Sequence, residues 1–110
     1  MKISKELLKG STAIMILKII SECDSYGYEI TQKLSARSNE MFNLNEGTLY
    51  PILHTMEKQG IVESYRKVSE SGRERKYYRI TMQGKAKLAI QLEEWKAFSQ
   101  SVEGVLGNEA

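Results

Sequence analysis

A chain of 110 residues with a formal net charge of +2 has the size of one domain, and that length buries a core without covalent staples. Its single cysteine, Cys23, excludes an internal disulfide and reads as a small residue at a core edge in a reducing cytoplasm. The polar start MKISKELLKGS is unlike a signal peptide, and no apolar run nears the ~20 residues that cross a bilayer, so a cytoplasmic protein without a membrane partner is expected.

Residues about 4 to 22 carry Leu7, Leu8, Ile14, Leu17 and Ile20 at helical spacing, with Met15 and Ile19 widening the stripe, and predict one helix. Ser4 stands where an N-cap belongs, and Glu6 suits the first turn. Asp24-Ser25-Tyr26-Gly27 supplies turn chemistry, and a second helix follows from about Tyr28 to Arg37, with Ile30 and Leu34 one turn apart. Ser38-Asn39-Glu40 connects to a third helix with Asn45 as N-cap and Leu49, Ile52, Leu53 and Met56 as its apolar set. Pro51 inside that helix predicts local distortion of its first turns, which Gly47 would ease. Gln59-Gly60 is its stop, Gly60 being suited to the left-handed conformation.

Residues 62–68 and 75–81 read as two strands around the turn Glu70-Ser71-Gly72-Arg73-Glu74-Arg75-Lys76. Alternation sets Arg75, Tyr77 and Arg79 on one face, expected to meet solvent or DNA, and Tyr78 and Ile80 on the core face. Thr81 caps a last helix of about 25 residues, where Leu88, Leu92, Trp95, Ser99, Val102 and Leu106 follow heptad spacing that only Ser99 breaks. Gly107 to Ala110 read as frayed.

The expected fold class is mainly α with a small β-hairpin. Three helices and a two-stranded wing make a winged helix-turn-helix over residues 1–80, and 81–110 form a long dimerisation helix. So small a body cannot cover the whole seam of that helix, and its simplest partner is a second copy. The seam residues Leu88, Leu92, Trp95, Val102 and Leu106 would then hold a homodimer together.

Charge points the same way. Between Tyr65 and Ile80 lie six basic residues (Arg66, Lys67, Arg73, Arg75, Lys76, Arg79) and two acidic ones (Glu70, Glu74), a local +4 that leaves the rest of the chain at −2. A positive segment on a slightly acidic body is the footprint of a phosphate-binding surface, although charge alone also fits a solvated hairpin. The third helix offers Asn45, Gly47, Thr48 and Tyr50 at its N-terminal end and His54 a turn later, short polar groups and open amides that suit a DNA groove. Asn45 serves equally well as a cap alone, and Tyr50 could instead pack its ring into the core. In the wing, Arg73, Arg75, Lys76 and Arg79 can reach phosphates or a narrow minor groove, or merely form surface ion pairs.

Enzyme chemistry finds no support. There is no Ser-His-Asp or Cys-His arrangement, no phosphate-cradling glycine loop and no metal-ligand cluster, so no catalytic residue, metal or cofactor is expected. His54 is the only histidine, and Glu93 and Glu94 are adjacent on a helix and do not face each other. A winged-helix module that binds protein in place of DNA remains as the alternative.

Four segments resemble hallmarks of the PadR family of transcriptional regulators, in the same order and spacing: YGYEI at Tyr26–Ile30, EGTLYPIL at Glu46–Leu53, LHTMEKQGIV at Leu53–Val62 and GRERKYYRIT at Gly72–Thr81. The resemblance implies a dimeric winged-helix repressor acting on a pseudo-palindromic double-stranded operator. Ending after one C-terminal helix, the chain is similar to the short subfamily, some of whose members sense drugs and repress efflux genes. In those, a tryptophan of the last helix lines a cavity at the dimer centre for flat aromatic ligands. Trp95 stands in the similar place, with Leu92 and Ser99 beside it and Gly10, Ala13, Ile14 and Lys18 offered by the first helix. An inward Lys18 would disfavour cationic ligands. Taken as a residue alone, Trp95 also fits dimer-core packing or a partly exposed surface aromatic.

Overall fold

The computed structural model describes residues 3–107; the frayed end expected at Asn108 to Ala110 lies outside them. Five helices and three strands follow one another: α1 (Lys5–Leu8), α2 (Thr12–Glu22), β1 (Ser25–Tyr26), α3 (Gly27–Arg37), α4 (Glu46–Lys58), β2 (Val62–Val68), β3 (Glu74–Ile80) and α5 (Met82–Leu106). The winged helix-turn-helix with a long last helix expected from the sequence is the fold observed.

The single N-terminal helix expected over residues 4 to 22 is two helices. Gly10 adopts a left-handed φ of 86° and breaks it, and Ser11 and Thr12 hydroxyls close the end of α1 onto the Leu8 carbonyl. Ser4 does cap α1, its Oγ accepting from the Leu7 amide at 3.3 Å. Only α2 reaches the core, through Ile16, Leu17, Ile19 and Ile20, while Leu7 is exposed. Cys23, expected at a core edge, is exposed just beyond α2.

Helix α4 begins where its cap predicts. Asn45 Oδ1 accepts from the Thr48 amide at 2.8 Å. The helix continues through Pro51, which withdraws one amide from the ladder, and buries Leu49, Leu53 and Met56 against α3 and the sheet. Each of those side chains contributes roughly 1.5–3 kcal/mol by leaving water. Its end is a Schellman closure: the Ile61 amide bonds the Met56 carbonyl, the Gly60 amide bonds the Glu57 carbonyl, and Gly60 has φ 75°.

The wing is larger than a hairpin. Ser25-Tyr26, expected as turn, pairs as a short third strand with β3, giving the antiparallel order β1-β3-β2 with Ser25 opposite Tyr78 and Tyr26 opposite Tyr77. In the β2–β3 ladder Tyr65 faces Tyr77, Lys67 faces Arg75 and Glu63 faces Arg79. β3 ends one residue earlier than expected because Thr81 is taken by the cap of α5, and it starts one residue earlier because Glu74 pairs with Val68.

Thr81 also ties two helices together. Its Oγ1 accepts from the Gly84 amide at 3.0 Å and donates to the Gly60 carbonyl at 2.7 Å, and its amide donates to the Ile61 carbonyl at 3.1 Å. Gly84 lies so close to that carbonyl that an added Cβ would come within 2.0 Å of the oxygen. The root of α5 is thus seated on the C-terminal turn of α4. Leu88 belongs to the core of its own chain at 6% exposure, a correction to the seam expected to begin there; Leu92 is the first seam residue left open. Beyond it α5 projects from the body, and the molecule measures 51 × 32 × 22 Å.

Candidate nucleic-acid interface

With Leu49, Leu53 and Met56 turned inward, the opposite side of α4 is open: Gly47, Thr48, Tyr50, Pro51, His54 and Thr55 are all exposed. The expected reading positions therefore share one surface. Asn45 lies at its edge with its side-chain oxygen engaged in the cap. Tyr50 does not enter the core. Its hydroxyl end rests against Gly27 at the start of α3, where an added Cβ would lie 2.9 Å from Tyr50 Oη. Partial burial, then the neighbouring Glu46 carboxylate, push the Tyr50 phenol above its ordinary pKa, and Arg75 and Lys76 offset part of that rise. The two wing cations are therefore within electrostatic reach of the first turns of α4.

The wing sorts its cations into two groups. Arg66 pairs with Glu74 at 3.4 Å, Lys76 with Glu57 at 3.9 Å, and Arg79 with Glu63 at 2.8 Å. Lys67, Arg73 and Arg75 have no carboxylate partner among the described residues. Arg73 is exposed at the tip, where a turn closes from the Ser69 amide to the Arg73 carbonyl at 2.8 Å and Gly72 takes φ 86°. Arg75 is held differently: its guanidinium lies 5.1 Å from the centre of the Tyr26 ring, and its buried Nε has no hydrogen-bond partner.

The face expected to hold Arg75, Tyr77 and Arg79 toward solvent is partly closed. Tyr77 is buried, because Tyr26 of the unforeseen strand meets its ring edge-on at 5.3 Å and Tyr65 stacks on it at 5.8 Å. Lys67 and Arg79 lie over Tyr77 and Tyr65, at 5.1 and 5.0 Å. Two residues beyond the expected contact set join this surface: Lys67, whose place opposite Arg75 appears only once the strands are in register, and Tyr28, exposed in the first turn of α3.

A second region lies along α2. Ile14, Lys18, Leu92 and Trp95 line a largely apolar cavity of about 570 Å³, open to one side, with Leu7 and Phe42 among its other walls. Gly10, Ala13 and Ser99 do not line it. Lys18 and Arg37 also reach this cavity, and both pair with Glu22, at 3.8 and 2.5 Å. The hydrogen bond from Arg37 is the main reason the Glu22 carboxyl sits below its ordinary pKa. Trp95 is 49% exposed and its ring lies 6.1 Å from that of Phe98.

Among the described residues no group of three His, Cys, Asp or Glu side chains could hold a metal, and no helix is long and apolar enough to cross a membrane. The chain is similar in fold and length to a PadR-like transcriptional regulator from Bacillus cereus, with 36% identity, a TM-score of 0.84, and coverage of 96% of this chain and all of that one. A transcriptional regulator from Clostridium thermocellum is 33% identical at a TM-score of 0.82, over 93% of this chain and 96% of that one. The transcriptional regulator Rv3488 of Mycobacterium tuberculosis is 31% identical across 96% of this chain and 92% of its own length. Residues 16–90 match the model of the transcriptional regulator PadR-like family, which takes in α2 from Ile16 onward, α3, α4, the whole sheet and the root of α5. With that match and those relatives, the chain belongs to the PadR-like family of transcriptional regulators, which are not enzymes.

Proposed function

We propose that this regulator binds a pseudo-palindromic operator as a homodimer and represses a transporter or stress gene. Residues 1–80 are its reading head and residues 81–110 its dimerisation helix. The observation that carries the reading is the open face of α4 with Arg75 of the wing in electrostatic reach of Tyr50, Arg75 being one of three wing cations, with Lys67 and Arg73, that no carboxylate neutralises among the described residues. In this reading Thr48, Tyr50 and His54 meet base edges or backbone in the major groove, while Gly47 lets the helix start approach closely. Arg73 and Arg75 supply most of the salt-dependent affinity, and Lys76 and Arg79, already paired, supply less.

Support for the second copy comes from α5. Trp95, Phe98, Val102, Val105 and Leu106 are exposed and span an arc of about 100° on the helix, wider than a two-stranded seam. A stripe of that width suits a groove, and the chain offers one between α1, α2 and Trp95. Two reading helices would then stand about one turn of DNA, ~34 Å, apart. A planar aromatic effector at Trp95 would release DNA by favouring a dimer with mismatched heads, which requires unequal affinity for the two arrangements.

Fluorescence anisotropy with a duplex from upstream of its own gene, in rising salt, tests the reading. Binding that exceeds that to a scrambled duplex and weakens steeply with salt supports it. No binding at low salt would mark the chain as a protein-binding winged-helix module. Titration of planar aromatics while following Trp95 emission tests the effector: a compound that frees DNA without changing that emission rejects Trp95 as its platform.

A further inference from the structure

We propose that Tyr26 and Gly27, two consecutive residues at the start of α3, are positioning residues that set the reading helix and the wing at a fixed separation for DNA. The inference rests on the DNA reading above and adds to it residues that touch no DNA themselves. Gly27 is the seat of Tyr50 from α4, and Tyr26 is the seat of Arg75 from β3.

Gly27 has no backbone reason to be glycine. It is helical and buried, and its φ is not in the left-handed region occupied by Gly10, Gly60, Gly72 and Gly107. At such a position the backbone alone favours alanine. What alanine would meet is the Tyr50 ring: its Cβ would fall 2.9 Å from Oη and 3.2 Å from Cζ, inside the 3.5–4.0 Å of ordinary carbon contact. The obstructing atoms are the far end of one side chain, so a Cβ displaces Tyr50 and leaves the backbone in place. The missing Cβ is therefore a notch that holds the Tyr50 hydroxyl at a chosen point on the open face of α4.

Tyr26 does the corresponding work for the wing. Its ring meets Tyr77 edge-on at 5.3 Å, which fixes it on the sheet, and the Arg75 guanidinium lies 5.1 Å from its centre. A carboxylate in that place would hold Arg75 and also cancel its charge, as Glu63 does for Arg79. A ring holds the guanidinium through its quadrupole and leaves the full positive charge for a phosphate. Because the two seats are adjacent in the chain, their spacing is set by one peptide unit at the start of a packed helix.

The test uses the intact protein, with a labelled duplex from upstream of its own gene and a scrambled duplex of equal length, over a range of KCl. Gly27→Ala is expected to weaken binding by about tenfold without lowering the thermal midpoint. Tyr50→Leu is expected to weaken it comparably, and the double variant no further than Tyr50→Leu alone. Tyr26→Leu is expected to flatten the log–log salt dependence by about one, as loss of one phosphate contact does. Gly27→Ala with wild-type affinity, or losses for Gly27→Ala and Tyr50→Leu that simply add, would overturn the inference while the DNA reading stands. Wild-type protein that binds neither duplex at low salt overturns the DNA reading and this inference with it.

Discussion

The Tyr65 hydroxyl donates a 2.6 Å hydrogen bond to the carboxylate of Asp24, fastening the middle of β2 to the loop that follows α2. This bond is the first cause that pushes the Tyr65 phenol up to about 12, with burial and the Asp24 charge adding to it. A phenol whose folded pKa exceeds its unfolded value near 10 adds stability that is fully present below about pH 10 and is lost as pH rises toward 12. Tyr77 and Tyr78, raised chiefly by burial, act in the same direction. Tyr65→Phe is expected to cost about 1 kcal/mol at neutral pH. Denaturant midpoints of the two proteins should converge between pH 10 and 12; a gap that persists to pH 12 would reject the bond as its source.

Gly84→Ala is expected to be among the most damaging single methyl additions. The new Cβ would stand 2.0 Å from the Ile61 carbonyl oxygen, a backbone atom already bonded to the Thr81 amide. Overpacking against backbone costs roughly 2–3 kcal/mol, a thermal midpoint lower by on the order of 10 °C for a chain of this length. Gly104→Ala, which meets nothing within 4 Å, is the control and should leave the midpoint unchanged or slightly higher. Calorimetry on the pair checks the contrast.

The two kinds of wing cation should separate in salt titrations. Arg75→Ala is expected to weaken operator and scrambled DNA alike and to lower the salt slope by about one, and Arg73→Ala to do the same. Arg79→Ala removes a guanidinium bound to Glu63 at 2.9 Å through Nε, so its slope should stay near that of the wild type. Equal effects from all three would mean that ion pairing within the wing has no bearing on DNA contact.

The open half of α5 makes its own prediction. Val102→Glu and Leu106→Glu place charges on exposed positions of the apolar arc, so the fold of the single chain should survive. Sedimentation at micromolar concentration is expected to give a dimer for the wild type and a 12.6 kDa monomer for the double variant. A monomeric wild type at that concentration would reject the homodimer.

Features whose cause lies within a few residues were legible in advance. The caps at Asn45 and Thr81 and the stop at Gly60 are legible in the sequence, because side chain, amide and left-handed glycine are neighbours in the chain. The break at Gly10 was masked by Leu7, which keeps phase with Ile14 yet is exposed. The third strand has no local signature, because Ser25 and Tyr26 find their partners only after the chain has returned through β3, and burial of Tyr77 follows from it. Leu88 shows a further limit: helical phase identifies an apolar side but does not say whether its partner is the same chain or another. Gly27 and Tyr50 stand in two of the segments that carry the family resemblance, but their pairing is not legible there, since the ring that fills the notch belongs to a different helix.

The seat of Gly84 on Ile61, with Thr81 bonded to both Gly60 and Ile61, has a mechanical meaning. Two hydrogen bonds and one close backbone contact fasten the start of α5 to the turn that follows α4. A rod of 25 residues, roughly 37 Å long, is then anchored by its first turn to the turn that follows α4. A shift of about 3 Å at its far tip corresponds to a rotation of about 5° at the root. A displacement at the free end of α5 is therefore expected to arrive at the turn that closes α4 as a change of angle.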